Sequence, residues 1–344
     1  MSNPIQMDIL DLDIRDASLM PIEEEWHPPS TLPDLTNCDR IAIDLETRDP
    51  NLTTLGPGWA RNDGYIIGVA VAAGDFVGYY AIRHEGGGNW PENKIFKWLQ
   101  KQLDTPHIEK VMHNAMYDLG WLRWAGIEVK GKVIDTMIAA PVLNENRRWY
   151  NLNSLAGEYL GEWKNEKLLK AAAAAYSVDP KGGMWRLPAH FVGKYAEQDA
   201  AVTLRLWDRL RGDLVKDEVT AIFDLETSLL PCLLDMKTKG VRIDMDAAEQ
   251  ARKTLLSQEQ ELLLDIKRET GVSIEPWVAT SIAKAFDALN LEYTRTEKTG
   301  APAFAKQFLA NHPHPIAQKI VKLREFNKAN TTFIETILEH SYNG

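Results

Sequence analysis

The order of apolar and polar residues predicts a strand-rich beginning to the chain. After an acidic, proline-containing stretch over 1–38, the residues of "RIAIDLET" alternate with a period of two, which indicates a strand. "DGYIIGVAVAAGDFVGYYAI" contains two apolar runs separated by "AAGD", and we predict a β-hairpin there. "EKVMHN" is a further short apolar run, which predicts a fourth strand.

Helical spacing dominates the segments between and after these strands. "PENKIFKWLQKQL" opens with proline and repeats apolar residues every three or four positions, and "AMYDLGWLRWAG" predicts a helix that ends at Gly126. We also expect helices in "VIDTMIAAPVL" and "LNSLAGEYLG", a helix end and loop in "KAAAAAYSVDPKGGMWRLP", and a long amphipathic helix in "AHFVGKYAEQDAAVTLRLWDRLRGDL". Three antiparallel strands followed by alternating helix and strand predict an α/β fold with a mixed sheet flanked by helices.

From about residue 214 the pattern changes to long helical segments, such as "AAEQARKTLLSQEQELLLDIKRET" and "PIAQKIVKLREFNKANTTFIETILEH". We therefore predict a mainly α-helical second region with its boundary at about 213–220. The expected organisation is an irregular arm over 1–38, an α/β domain over 39–213 and a helical region over 214–344.

Length and composition fit two globular domains. The chain has 344 residues, of which 44% are hydrophobic and 26% charged. The acidic beginning "MSNPIQMDILDLDIRD" is not a signal peptide, and no apolar stretch approaches the length of about 18 residues that a membrane span requires. The two cysteines, Cys38 and Cys232, are far apart in sequence, which suits a reducing compartment and provides no thiolate metal site. We expect a cytoplasmic protein without a membrane partner.

The net charge of −10 argues against a nucleic-acid partner, because a polyanion is repelled at long range. This argument fails if some of the acids bind metal ions, which reverse the local field. Basic clusters occur in "QKIVKLREFNK" and "EWKNEKLLK". They are either solvated helix faces or contacts to phosphate groups.

The tetrapeptide DLET occurs twice, and the two copies differ in local period. In the first copy, alternation places Asp44 and Glu46 on one face of a strand, roughly 7 Å apart, where both can reach the same ions. In the second copy the apolar residues recur at helical spacing, so Asp224 and Glu226 point in different directions and cannot share a metal ion. Only the first copy is a candidate metal site.

Two further acids stand on predicted helices beside polar partners. "HNAMYD" places Asn114 and Asp118 four residues apart, and "KYAEQD" places Tyr195 and Asp199 four residues apart. Together with the strand pair, these residues supply four carboxylates, enough for two hard cations about 3.5–4 Å apart.

The ordered triple of motifs resembles the three motifs of the DEDDy 3′-5′ exonucleases, which have a ribonuclease H-like fold. The resemblance implies that four acids bind two divalent metal ions, Mg²⁺ or Mn²⁺, and that the tyrosine orients the attacking water. It further implies substrate contacts from residues next to the motifs. Carried over by position, the metal ligands are Asp44, Glu46, Asp118 and Asp199, the tyrosine is Tyr195, and the substrate-binding residues are Thr47, Asn114 and Tyr117.

Later segments resemble family A DNA polymerases of the DNA polymerase I type. "LETSLLPCLLDMKTKGVRID" is similar to the segment that follows the exonuclease domain, and "LREFNKANTTFIETI" resembles the helix that leads into the palm. "EKTGAPAF" resembles a stretch of the thumb, although Phe304 stands where a small hydroxyl residue is common. The resemblance implies a ribonuclease H-like mixed sheet flanked by helices, followed by a mainly α-helical, thumb-like region.

No stretch resembles the palm or the fingers, so we expect no polymerase activity from this chain alone. Two alternatives are open: a truncated form of a longer polymerase, or a natural subunit that meets a separate palm and fingers chain. The implied function is proofreading, in which nucleoside monophosphates are released from a single-stranded or frayed 3′ end. The implied partner is a single-stranded DNA 3′ end or primer-template DNA, in the host cytoplasm if the protein comes from a bacteriophage.

Two other functions are compatible with the same residues. A ribonuclease D-like 3′-5′ RNA exonuclease shares the tyrosine-containing motif, and a DNA-binding or assembly subunit of a split polymerase would keep the fold without cleavage. Aromatic residues near the motifs, Tyr117, Trp121 and Trp185, either stack on terminal bases or fill the core.

Overall fold

The computed structural model describes residues 26–342. Most of the predicted arm, residues 1–25, lies outside this range, and residues 26–38 contain neither helix nor strand. The chain divides into two compact units, one ending at Gly240 and the other beginning at Val241. Each unit is described by itself.

The first unit is built on a five-stranded mixed sheet with the order β3-β2-β1-β4-β5. β1 pairs antiparallel with β2, and β2 with β3, whereas β1–β4 and β4–β5 are parallel pairs. This arrangement confirms the predicted mixed sheet. The strands are β1 (Arg40–Arg48), β2 (Tyr65–Ala73), β3 (Phe76–Ala81), β4 (Glu109–Met112) and β5 (Val133–Asp135).

The predicted hairpin joins β2 and β3. Ala73 pairs with Phe76, so the loop consists of Gly74 and Asp75. Gly74 has a φ of +56°, a conformation that glycine adopts at no steric cost and that a two-residue hairpin requires. The "GD" dipeptide therefore fixes the register of these two strands.

Helices cover both faces of the sheet. One prediction about them is wrong: in "VIDTMIAAPVL" the first three residues form β5, because β-branched Val133 and Ile134 pair with β4. The long helix also begins later than predicted, at Gly193, after a 3-10 turn over Ala189–Phe191. The helices of the first unit are α1 (Leu52–Leu55), α2 (Glu92–Leu103), α3 (Ala115–Trp124), α4 (Thr136–Leu143), α5 (Leu152–Leu160), α6 (Lys167–Ala175), α7 (Gly193–Lys216), α8 (Thr220–Ser228) and α9 (Leu230–Lys239).

The alternation in β1 separates two hydrophobic cores. Ile41, Ile43 and Leu45 belong to the core that includes α2 and α3. Ala42 belongs to the other core, which is formed largely by the buried face of α7. Even-numbered residues of β1 therefore face α7, and the functional side chains of β1 follow the same rule.

The first unit continues beyond the boundary that the sequence predicted. Phe223 on α8, and Leu230 and Leu234 on α9, are buried in its two cores. The prediction that this segment is helical is confirmed. Its buried side chains are those of Phe223, Leu230 and Leu234, whereas Ile222 and Leu225 are exposed. The boundary at 213–220 stays a prediction about where the exonuclease-like domain ends.

The second unit is mainly helical and has its own core. Phe304, which stands where a small hydroxyl residue is common, is buried in this core. Its ring centroid lies 4.9 Å from that of Phe286, so the large side chain fills space in the core. In the basic cluster nearby, Lys319 pairs with Asp265 and Glu269. The elements are α10 (Met245–Thr270), α11 (Ala279–Ala288), β6 (Thr294–Arg295), β7 (Pro302–Ala303), α12 (Lys306–Asn311), α13 (Pro315–Lys328), a π-helical segment (Ala329–Ile334) and α14 (Glu335–His340).

Within residues 26–342, no helix combines the length and the apolar composition needed to cross a membrane.

Candidate active site

A groove of about 890 Å³ crosses the first unit beside the end of β1. The eight residues singled out from the sequence come from three separate segments of the chain, and all of them line this groove. They are Asp44, Glu46, Thr47, Asn114, Tyr117, Asp118, Tyr195 and Asp199.

β1 presents its two acids toward α7. Asp44 and Glu46 lie opposite Ala70 and Gly68 of β2, and both are partly buried. After Glu46 the pairing with β2 shifts by one residue, so that Thr47 lies opposite Ile66. A shift of this kind turns the end of a strand, and it is common beside active sites.

α7 brings the third acid to this pair. One carboxylate oxygen from each of Asp44, Glu46 and Asp199 lies within 4.8 Å of the others. Oδ1 of Asp199 is buried and accepts no hydrogen bond of ordinary geometry. Three converging hard oxygen donors, one of them buried without a donor, are what a divalent cation such as Mg²⁺ requires, so these residues fit a metal ion.

Asp118 lies at the same groove but outside this group of three acids. Its Oδ1 accepts a hydrogen bond from the backbone N–H of Leu45 at 3.0 Å. The pairing of β1 with β4 ends at Ala42, so the N–H of Leu45 has no partner in β4 and the carboxylate supplies one. One oxygen of Asp118 thus fixes α3 against β1, and the other is left for the groove.

A carboxylate that the sequence analysis missed, Asp135, positions the start of α3. Its Oδ1 accepts from the backbone N–H of Asn114 at 2.9 Å, and its Oδ2 from that of Ala115 at 2.8 Å. Asn114 has a φ of +69°, a left-handed conformation that asparagine tolerates better than most residues. This bend directs α3 so that Asp118 reaches β1. Asp135 is the last residue of the short apolar strand β5 and caps the start of α4, a capping pattern that could have revealed it.

Two of the predicted substrate-binding residues contact each other. Thr47 Oγ1 and Tyr117 Oη lie 2.6 Å apart, and Tyr117 donates to Oδ2 of Asp49 at 3.2 Å. Asp49 also accepts from the backbone N–H of Gly58. The wall of the groove is therefore a hydrogen-bonded network of polar side chains next to the acids.

Burial and mutual repulsion make the negative charge of the four acids unfavourable, so these acids favour binding a proton or a metal cation. Burial, followed by the charge of Asp199, raises the pKa of Asp44 to about 7. Burial and neighbouring carboxylates likewise raise the pKa of Glu46 and Asp118 well above their usual range. Burial raises the pKa of Asp199, and the Lys164 ammonium opposes this shift. The cluster is thus destabilised by its own charge, which a bound divalent cation would neutralise.

Tyr195 stands one turn before Asp199 on α7 and is 8% exposed. Burial, together with the negative charge of Glu46 and Asp199, raises the pKa of its hydroxyl further above its usual value. Tyr195 is therefore neutral at physiological pH and can donate a hydrogen bond, but it is not a base.

The sheet behind Glu46 leaves room for a second buried tyrosine. Gly68 lies opposite Glu46, and a Cβ at this position would be 2.0 Å from the hydroxyl of Tyr79. The Tyr79 hydroxyl contacts Nε2 of His84 at 2.7 Å, and Nδ1 of His84 lies 2.8 Å from the carbonyl oxygen of Leu187. Because a carbonyl can only accept, His84 donates through Nδ1, and Tyr79 donates to Nε2.

The aromatic residues near the motifs have different positions. Trp121 is fully buried and packs on Trp124 and Tyr117, so it belongs to the core. Trp185 is partly buried, and the guanidinium of Arg48 lies 5.0 Å from its ring centroid. Tyr117 is the aromatic residue of this group that lines the groove.

Comparison with known proteins identifies a family for most of the first unit. The family model of the 3′-5′ exonuclease domain of DNA polymerase A matches residues 21–215. The DNA-directed DNA polymerase of Pseudomonas phage M6 is 36% identical over 332 residues, which cover 94% of this chain and 50% of the relative. The DNA polymerase DpoZ of Acinetobacter phage SH-Ab 15497 is 26% identical, with 88% and 49% covered.

More distant matches extend to bacteria and to a solved structure. DNA polymerase I of Chloroflexus aurantiacus is 26% identical over 88% of this chain and 32% of its own length. The polymerase domain of Pol1 from M. smegmatis, solved with DNA primer-template and dNTP, superimposes with a TM-score of 0.67 at 19% identity, covering 92% of this chain and 50% of that one. This similarity shows the fold. The chain spans about half the length of these two phage relatives.

Proposed function

Because the chain belongs to the family of 3′-5′ exonuclease domains of family A DNA polymerases, we propose that its groove removes nucleoside monophosphates from the 3′ end of DNA. Family membership makes it a nuclease. The observation that carries the finer proposal is the convergence of Asp44, Glu46 and Asp199 in a groove that also contains Asp118 and Tyr195.

We assign the metal ligands to these four acids. Asp44, Glu46 and Asp199 would hold one divalent cation between them, and the second oxygen of Asp118 would complete a two-ion site for Mg²⁺ or Mn²⁺. Such cations, when bound, activate water and stabilise the charge that develops on the phosphate and on the leaving oxygen. Without them the acids would repel the phosphate, so the acids alone cannot bind the substrate productively.

The remaining residues of the groove would orient the reactants. The neutral hydroxyl of Tyr195 can donate a hydrogen bond to, and so align, the attacking water. Thr47 and Tyr117, which contact each other, and Asn114, which is exposed at the start of α3, would contact the terminal nucleotide. A terminal nucleotide must leave its duplex to enter a groove of this size, which favours single-stranded or frayed ends.

We extend the proposal to the protein as a whole. Its phage and bacterial relatives are DNA polymerases about two to three times as long as this chain. We propose that the exonuclease acts in proofreading, on primer-template DNA handed over from palm and fingers domains of the same protein or of a separate chain. The phage relatives favour the cytoplasm of a bacterial host as its location.

The test is cleavage of a 5′-labelled single-stranded DNA, with Mg²⁺, Mn²⁺ or EDTA, by the wild type and Asp44→Ala. We expect a ladder that shortens from the 3′ end, and its loss in EDTA and in the variant. An RNA of the same sequence should be cleaved much more slowly, and a primer-template with dNTPs should show no extension.

Two outcomes would overturn the proposal. If a well-folded wild type leaves DNA intact in every metal, the site is not an exonuclease by itself, and a binding or assembly role would replace it. If RNA is degraded and DNA is not, the proposed DNA substrate is wrong, although the proposed cleavage reaction is correct.

A further inference from the structure

A lysine that no motif includes is buried against the acidic site. Nζ of Lys164 lies 2.6 Å from Oδ2 of Asp199, and the two side chains are only 13% and 5% exposed. The same ammonium group lies 5.4 Å from the ring centroid of Tyr195. A buried ion pair within a candidate metal site implies that the protein already supplies a cation there.

The backbone around Lys164 is tied to α7 on both sides. Gln198, the neighbour of Asp199, accepts a hydrogen bond from the N–H of Asn165 and donates one to the carbonyl oxygen of Trp163. The N–H of Lys164 itself donates to the side chain of Asn153 on α5. The loop between α5 and α6 therefore holds this ammonium group at Asp199 by fixed contacts.

The positive charge reaches further acids than its direct partner. One carboxylate oxygen of each of Asp44 and Glu46 lies within 4.8 Å of an oxygen of Asp199, so the ammonium group beside Asp199 is close to all three acids. Two other lysines, Lys181 and Lys237, line the groove itself and are exposed; Lys181 lies 3.9 Å from Glu166. Lys164 is thus the buried cation that compensates the acid cluster within the described residues.

We propose that Lys164 is a metal-tuning residue: it neutralises the acid cluster in the metal-free protein and weakens the binding of divalent cations there. This proposal rests on the metal use of the proposed function. Two effects act in the same direction, because the ammonium competes with a metal ion for Oδ2 of Asp199 and repels a divalent charge a few ångströms away. If Lys164 instead only held the Asp199 carboxylate in position for a metal ion, replacing Lys164 would weaken metal binding rather than strengthen it.

The test measures metal affinity and stability, not cleavage. Mn²⁺ binding is titrated by electron paramagnetic resonance of the free ion, and melting temperature is measured in EDTA, for the wild type, Lys164→Gln, Lys164→Arg and Lys167→Gln. Lys167 is an exposed lysine of the neighbouring helix α6, so Lys167→Gln makes the same change in net charge away from the acids.

For Lys164→Gln we expect Mn²⁺ to bind about tenfold more tightly or better and the protein in EDTA to melt about 5 °C lower. Lys164→Arg, which keeps the charge, should stay near the wild type in both measurements, as should Lys167→Gln. Equal or weaker Mn²⁺ binding by Lys164→Gln would overturn the proposal, because it is the result expected if Lys164 only holds Asp199 in position or is purely structural.

A double-mutant cycle keeps the test decisive if Lys164→Gln is too unstable for titration. Asp199→Asn removes the partner charge, so Lys164→Gln should lower the melting temperature in EDTA much less in the Asp199→Asn background than in the wild type. Equal losses in both backgrounds would refute a charge-compensating role. Cleavage assays stay separate: tighter Mn²⁺ binding without any DNA cleavage would contradict only the proposed function.

Discussion

The two DLET segments have the same four residues and opposite surroundings. In β1, Asp44 and Glu46 lie on one face, partly buried, with an oxygen of Asp199 within 4.8 Å of theirs. In α8, Asp224 and Glu226 are both exposed, and Asp224 pairs with Lys132 at 2.7 Å. The letters are identical, so the difference must come from the backbone period and from the neighbours.

The comparison shows that unsatisfied charge, rather than acidity, marks the candidate site. The charge of Asp224 is compensated by Lys132 and by exposure to solvent, so Asp224 requires no metal ion. Asp44 is crowded by other carboxylates in a region of low solvent access, which raises its pKa to about 7. Holding acids in this arrangement costs stability unless a ligand compensates them, and that cost is what suggests a function.

The sharpest way to break this comparison is to neutralise the strand copy. Asp44→Asn together with Glu46→Gln removes two ligands from the group of three acids, so we expect 3′-5′ cleavage of single-stranded DNA to fall at least about a thousandfold. The measurement is the initial rate of cleavage in Mg²⁺, with circular dichroism to verify the fold. A loss of less than tenfold would show that the metal site lies elsewhere.

Much of this arrangement could be predicted from the sequence because it depends on local periods. Alternation in β1 places Asp44 with Glu46, and i, i+4 spacing places Tyr195 with Asp199, whatever the rest of the chain does. The hairpin, the long helix and the mixed sheet follow from equally local signals. Local periods do not show that these segments meet at one site; that expectation came from the resemblance to an exonuclease family.

What could not be predicted depends on the packing of distant segments. Lys164 reads as part of a basic surface cluster until its loop is fixed to α7 through Gln198. Oδ1 of Asp118 binds the N–H of Leu45 only because β4 stops pairing with β1 at Ala42. Both contacts depend on tertiary packing, and neither produces a recognisable pattern in the sequence.

The pH dependence of stability in EDTA should sharpen the comparison next. The pKa of Asp44 rises from its ordinary 3.8 to about 7 on folding, chiefly through burial. The folded protein therefore binds this proton more tightly than the unfolded chain, so the stabilisation is full below about pH 4 and is lost as the pH rises through about 7. Asp44 alone would account for up to about 4 kcal/mol of this loss.

Denaturant unfolding in EDTA at a series of pH values measures this slope. Asp44→Asn should flatten the fall in unfolding free energy between pH 4 and 7. Excess Mg²⁺ should reverse the slope, because the metal binds the deprotonated acids. A wild type whose stability in EDTA rises over this range would contradict the assignment of buried, crowded acids.

A smaller effect is expected at the tyrosine that accompanies the strand copy. Tyr195→Phe removes one hydroxyl and no metal ligand, so cleavage should slow by about ten- to hundredfold while Mn²⁺ affinity stays unchanged. Tyr80→Phe is a matched control, because Tyr80 is also buried but belongs to the core on the other face of the sheet. Equal losses in both variants would indicate a packing defect instead of a role at the groove.

The smallest effect belongs to the helical copy. Asp224→Asn breaks an ion pair whose side chains are both nearly half exposed, so the unfolding free energy should change by less than about 0.5 kcal/mol. Glu226→Gln, on the same exposed helix, should change it no more. Cleavage and Mn²⁺ binding of the double variant should equal those of the wild type, because neither carboxylate can turn toward the other on a helix. If this variant instead lost cleavage while keeping its fold, α8 would contribute to the substrate site, and local period would no longer separate the two copies.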